Sequence, residues 1–201
     1  MVTLRQTTTA TLTERENLMA VLTVSTSSEA ANHLDVCRAR SDQLPIIASL
    51  AHDIWHRYYP SIISHTQIDY MLKQRYTISA LSERQAKRGS LLLIAWLGPL
   101  AVGYAFLSTP DDAPDEATLD AFYLHPDHHR RGLGTRFMEK VIAHLDEQPR
   151  RAITLNVNRL NITAINFYFR VGFTLRSAVD IDFGRGFLGH DFVMERTLRS
   201  D

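Results

Sequence analysis

The sequence contains a single cysteine, Cys37, among 201 residues. A lone thiol excludes an internal disulfide framework and a thiolate metal cage, and it fits a reducing compartment. Neither sign of charge is in excess: 22 Lys+Arg are balanced by 22 Asp+Glu. The basic surplus that accompanies nucleic-acid binding or attachment to anionic membranes is therefore missing. Long apolar runs are absent too. Stretches such as Leu91 to Leu97 fall far short of the roughly 20 residues a bilayer-crossing helix needs. Residues 1–30 hold no glycine, are rich in Thr and Ser, and lack a basic segment joined to an apolar one, so they do not read as a signal peptide. These absences describe a soluble, cytoplasmic protein with a small-molecule or local protein partner, in which 1–33 is a loosely ordered extension and 34–201 is one domain.

What is present alternates between two periodicities. Leu34 to Arg40 alternates as a strand with one buried face. Asp42 then suits an N-cap, and Leu44, Ile47, Leu50, Ala51 and Ile54 recur at helical spacing up to Pro60. Further helices are expected over Thr66–Arg75 and Ser79–Lys87. Ser90–Trp96 and Leu100–Leu107 flank Leu97-Gly98-Pro99 and read as an antiparallel hairpin. Leu119–Leu124, Ala152–Val157, Phe173–Ile181 and His190–Thr197 complete the strands, with helices over Leu133–Leu145 and Ile162–Val171. The order predicts an α/β (α+β) fold, a mixed central sheet of about seven strands flanked by helices.

The chemistry concentrates in Phe122 to Phe137, F-Y-L-H-P-D-H-H-R-R-G-L-G-T-R-F. A strand ends, the chain turns, and a helix begins within two glycines. Gly132 and Gly134 let the backbone approach a ligand, and the unpaired N–H groups of the new helix face an anion, with Arg130 and Arg131 adding charge. Other phosphate loops do not fit. A dinucleotide fingerprint needs a small residue where Phe137 stands, and no Gly-Lys-Ser/Thr occurs.

These residues resemble the GNAT superfamily of acyl-CoA-dependent N-acetyltransferases, whose motif Q/R-x-x-G-x-G/A reads here as His129-Arg130-Arg131-Gly132-Leu133-Gly134, with His129 in place of Gln or Arg. A second block carries the resemblance further. Leu155-Asn156-Val157 closes a strand, and Asn161 to Phe173 matches the family's N-x-x-A-x-x-F-Y-x-x-x-G-F. The likeness covers roughly Leu34 to Leu198, and the helical segment before the hairpin together with the closing region most resembles bacterial spermidine/polyamine acetyltransferases.

The resemblance implies acetyl-CoA as acyl donor, with Tyr123, Leu124, His129, Arg130, Arg131, Gly132, Leu133, Gly134, Thr135, Asn161, Ala164 and Phe167 around it. It places the proton donor to the leaving thiolate at Tyr168 and an oxyanion-binding N–H near Leu124. A protonated amine acceptor must first lose a proton, since its pKa is about 10.4. Asp120 is the candidate base, and strand alternation groups it with Phe122 and Leu124. Asn161 is an N-cap, a contact to the pantetheine amide, or both. In this family the segment carrying Trp55, Tyr58, Tyr59 and Tyr70 walls the acceptor pocket, where aromatic faces suit an amine cation. His52-Asp53-Ile54-Trp55-His56 imitates a zinc-protease helix. Aspartate replaces the glutamate and no third ligand follows, so no metal is expected.

The expected function is direct acetyl transfer to a small amine, polyamines ahead of a peptide N-terminus or lysine. An acyl-CoA-binding sensor domain without turnover remains the alternative, and a homodimer stays open.

Overall fold

The computed structural model describes residues 33–145 and 150–198. The extension expected over 1–33 lies, apart from His33, outside the described residues.

Seven strands form one sheet in the order β1-β2-β3-β4-β5-β7-β6. They are β1 (Leu34–Arg38), β2 (Leu91–Leu97), β3 (Leu100–Ser108), β4 (Glu116–Leu124), β5 (Ala152–Asn158), β6 (Thr174–Asp182) and β7 (Leu188–Thr197). Neighbours pair antiparallel except β4 and β5, which are parallel, so the sheet is mixed as the element order predicts. Among the described residues no helix is long and apolar enough to cross a membrane.

The continuous apolar runs of β2 and β3 are buried on both faces, which requires a layer of helix on each side. Leu92, Ile94, Tyr104 and Phe106 pack under α1 (Leu44–Tyr58), α2 (His65–Arg75) and α3 (Ile78–Ala86). Leu93, Ala95, Ala105 and Leu107 pack under α4 (Leu133–Ala143) and α5 (Ile162–Arg170). Each layer is nucleated locally. Ser64 and Thr77 cap α2 and α3 by accepting from the Gln67 and Ala80 N–H groups, both at 3.2 Å. α1 buries Leu44, Ile47, Ala51, Ile54 and Trp55 and stops before Pro60.

Two expectations need correction. Asp42 does not cap α1; a short turn over Ser41–Gln43 intervenes, and the Asp42 carboxylate accepts from Arg40 Nε and Nη2 at 3.0 and 2.8 Å. The grouping of Asp120 with Phe122 and Leu124 also fails. Leu107 pairs with Leu119 while Phe106 pairs with Ala121, so Asp120 is the extra residue of a β-bulge. Ala117 and Leu119 therefore join the α4–α5 layer, but Ala121 and Tyr123 join the α1–α3 layer. A bulge breaks the period-2 pattern, which is also why the sequence reveals β4 only from Leu119 and hides its first turn of pairing at Glu116. Glu116 is buried and pairs with Arg151 and, at 3.1 Å, with Arg176.

Phe137 ties α4 to the sheet. It is fully buried, stacks on Phe122 with ring centroids 4.7 Å apart, and lies against Gly103 of β3. Phe137→Ala is expected to cost about 3–5 kcal/mol, read from the midpoint of urea unfolding at constant slope. A loss under about 1 kcal/mol would mean that the α4 layer repacks freely.

Candidate active site

β4 and β5 share a ladder only where Glu116–Thr118 face Ala152–Thr154. Beyond it the strands part, and the gap opens into a cavity of about 790 Å³ walled by residues 120–124 of β4 and 156–158 of β5. Small-molecule sites occupy roughly 300–1,000 Å³, so the space suits a substrate pair.

The backbone of β4 is directed into this gap. His125 N–H donates to Val102 O of β3 at 2.7 Å, so by antiparallel alternation the Leu124 peptide faces away from β3, into the cleft. Its carbonyl accepts from His129 Nε2–H at 2.9 Å. The Leu124 N–H is left pointing at the gap.

At one end of the cavity lies the arginine- and glycine-rich turn. Arg130 and Gly132 hold φ of 58° and 72°, the left-handed region, and Gly132 caps α4. Nothing lies within 4 Å of where a Gly132 side chain would begin, so the backbone there needs glycine for its conformation and leaves open space for a ligand. Gly134 serves packing instead: a Cβ would sit 3.2 Å from Phe167, where α4 closes on α5. Gly132, Gly134 and Thr135 line the cavity, and the first-turn N–H groups of α4, without partners inside the helix, have the character an anion requires. Arg130 lines it as well. Arg131 is exposed and outside the lining, and the Leu133 side chain is buried in the core, so only its backbone belongs to the turn.

α5 supplies the second wall. Asn161 caps it by accepting the Ala164 N–H at 3.1 Å, and the same Oδ1 accepts the Tyr58 hydroxyl at 2.8 Å. Ala164 and Phe167 line the cavity beside it. Tyr168 is buried, its ring edge-on to Phe167 and Phe173. Its hydroxyl makes no hydrogen bond among the described residues and borders the cavity. Burial, with the neighbouring Tyr59 and Tyr58, pushes this hydroxyl above the ordinary tyrosine range. Tyr168 is therefore protonated at neutral pH.

The opposite end is aromatic. Trp55 stacks on Tyr59 at 4.6 Å, and the Tyr59 and Tyr123 hydroxyls meet at 3.1 Å. Tyr58 sits between the two ends, edge-on to His129 as well as bonded to Asn161. Tyr70 is elsewhere: its hydroxyl donates to Phe183 O at 2.8 Å, its ring packs on Phe187, and it does not line the cavity. The pseudo-metalloprotease helix is spent on ion pairs. His125 Nε2 meets Asp53 at 2.6 Å, Arg57 meets Asp127 at 2.7 Å, and His56 meets Asp69 at 3.0 Å. The first two contacts clamp α1 to the turn after β4, and the third joins α1 to α2.

The Asp120 carboxylate reaches solvent through the cavity mouth, yet the protein packed around it raises its pKa. A hydrogen bond from Ser108 and the charges of Arg84 and Arg75 offset part of that rise. Sequence reasoning missed a second carboxylate, Asp191 of β7, and the guanidinium of Arg75 on α2, both in the lining. Asp191 stands among ordinary alternating strand residues, and only the fold shows its surroundings.

The chain matches the acetyltransferase (GNAT) family over residues 49–173. It belongs to that family. This GNAT acetyltransferase is 23% identical over 171 residues to a spermidine N(1)-acetyltransferase of Thermoplasma acidophilum, covering 83% of this chain and 99% of the relative. Among solved structures it is similar to the PaiA N-acetyltransferase of the same organism in complex with coenzyme A, with a TM-score of 0.69 at 21% identity, covering 82% of this chain and 99% of that one. It is also similar to the ribosomal-protein-S18-alanine N-acetyltransferase of Escherichia coli, with a TM-score of 0.61 at 19% identity, covering 84% and 96% of the two chains. These likenesses establish the shared fold.

The raised Asp120 carboxyl has a consequence for stability. Between the ordinary aspartate value of about 3.9 and the raised one, the folded GNAT chain binds more protons than the unfolded chain, so stability falls as pH rises through that window. Asp120→Asn is expected to flatten this fall and to be at least as stable as wild type at neutral pH in urea unfolding. An unchanged pH slope would show that the carboxyl is not desolvated.

Proposed function

We propose that this GNAT acetyltransferase moves the acetyl group of acetyl-CoA directly onto a primary amine of a small molecule, polyamines ahead of peptide N-termini and lysine side chains. The observation that carries the reading is the meeting of three groups in one cleft: the unbonded Tyr168 hydroxyl, the Asp120 carboxylate and the free Leu124 N–H. The open first turn of α4 accepts the pyrophosphate at one end. The spermidine acetyltransferase relative and the coenzyme A-bound PaiA structure support the choice of donor and acceptor class.

In this mechanism Asp120 takes a proton from the incoming ammonium, and its raised pKa brings it nearer that task than an ordinary aspartate. The neutral nitrogen bonds to the thioester carbon. Charge on the carbonyl oxygen is met by the Leu124 N–H, already oriented by the ladder to β3. The C–S bond breaks, sulfur takes the Tyr168 proton, and the proton shed by the attacking nitrogen restores the phenol. Asn161 and Tyr58 hold the start of α5 in place beside the donor. His129 holds the turn by its bond to Leu124 rather than by charge.

Thiol release from acetyl-CoA in the presence of spermidine, spermine, short diamines, aminoglycosides, amino acids and a lysine peptide is the direct assay. Release with amines of the polyamine class is expected; release only with a peptide would move the acceptor. Binding of acetyl-CoA with no release from any amine would favour an acyl-CoA sensor. Tyr168→Phe should lower kcat by roughly 10²-fold while leaving acetyl-CoA affinity within about twofold. Equal turnover would remove Tyr168 as the acid.

A further inference from the structure

Asp191 is 8% exposed and lies in the lining of the cavity. Its carboxylate makes no hydrogen bond or ion pair among the described residues; Arg159 Nε–H instead reaches its backbone carbonyl at 3.3 Å. A carboxylate largely shielded from bulk water is costly where no ion pair repays the hydration it has lost. Burial raises its pKa accordingly, and the charges of Arg159, Arg75 and His190 offset the rise only in part. Such a group is stabilised by a cation arriving from the cavity.

Its position relative to Asp120 is set by the sheet. Asp191 pairs with Asn158 of β5, while Asp120 stands beyond the Thr118–Thr154 pair on the other side of β5. Two strand spacings of about 4.8 Å across and two residues of about 3.3 Å along separate the two Cα atoms by on the order of 12 Å, and the splay of β4 from β5 widens this. The two carboxylates thus flank the same cavity from opposite walls. Arg75, between them on α2, influences both and is itself drawn over the Phe183 ring at 5.6 Å. Arg75 shares the cavity lining with both carboxylates, while the charges of Arg84 and Arg159 act on Asp120 and Asp191 from outside it. The aromatic rings of Trp55, Tyr59 and Tyr123 line the same cavity and offer an apolar surface to an alkyl spacer.

We propose that Asp191 anchors the distal ammonium of a diamine acceptor, holding it so that the other amino group reaches Asp120 and the thioester. The role rests on the acetyltransferase reading above and adds a specificity residue to it. An acceptor with one amino group makes the Asp120 contact alone and gains nothing from Asp191.

The test separates this claim from the enzyme reading by measuring binding rather than turnover. The full chain, saturated with coenzyme A, is titrated calorimetrically with 1,4-diaminobutane and with n-butylamine, and acetyl-CoA affinity is measured separately. Wild type is expected to bind the diamine at least tenfold more tightly than the monoamine. Asp191→Asn should bring the diamine down to the level of the monoamine and leave acetyl-CoA affinity unchanged, and Asp191→Glu should restore part of the preference. Thermal melting of Asp191→Asn should match or exceed wild type, because a desolvated charge is removed without a change of shape. Equal affinities of wild type for the two amines, no diamine binding, or a preference retained in Asp191→Asn would each overturn the proposal. Absence of acetyl-CoA binding would instead count against the enzyme reading, and it is read from its own titration.

Discussion

The three-residue ladder between β4 and β5 is the constraint on which the site depends. Parallel strands held together along their whole length would leave no gap, and strands not held at all would leave no sheet. Here Glu116–Thr118 and Ala152–Thr154 close one end, and Glu116 reinforces that end by pairing with Arg151 and Arg176. From there β4 follows β3 and β5 follows β7. Peptide groups on the inner edges lose their ladder partners, and unpaired backbone donors are what an amide-containing ligand or a developing oxyanion requires. The same divergence that weakens the sheet makes it a binding surface.

Two contacts couple the halves of the cavity. Asn161 uses one oxygen both to cap α5 and to receive the Tyr58 hydroxyl from α1. His129 joins the glycine turn to the last carbonyl of β4 and stands edge-on to the same Tyr58. The helix layer of the acceptor end is therefore bonded directly to the elements that would hold the coenzyme. Around the outside, the Asp53–His125 and Arg57–Asp127 pairs repeat the connection in solvent, where such pairs contribute little to stability but fix orientation.

Much of this was legible in the sequence because it is written locally. Alternation marks the strands, the spacing of Leu44, Ile47, Ala51 and Ile54 marks α1, and the two glycines after Arg131 mark an anion turn whichever way the chain folds. The seven strands and the glycine turn follow from those signals, and the matched family agrees with them. What was not legible is set by tertiary context. The bulge at Asp120 breaks the very period used to assign faces, so the sequence puts Asp120 on the side of Phe122. The Tyr70 ring has the composition of a pocket residue but is captured by the Phe183 carbonyl. Asp191 carries no local mark at all, because its burial comes from strand order, β7 lying between β5 and β6. Leu133 and Arg131 fall within a phosphate-turn motif, yet a helix start turns alternate side chains inward and outward and leaves only the backbone common to all of them.

The zero net charge of the chain now has a spatial meaning. Balance over the whole sequence conceals an uneven distribution within the cavity, where Arg130 stands at the α4 turn and both lining carboxylates, Asp120 and Asp191, act with Arg75 away from it. In the proposed reaction, an anionic coenzyme and a cationic amine would each favour a different end of this cavity and so would not compete for the same one. The aromatic rings that share the carboxylate end lower the local polarity and strengthen the attraction for a cation there. The proposed transfer would then take place beside the Tyr168 hydroxyl, between the two ends. Burial makes the Tyr168 phenol harder to ionise than an exposed one, so in the proposed mechanism it would release its proton only to a strong base such as a thiolate formed next to it.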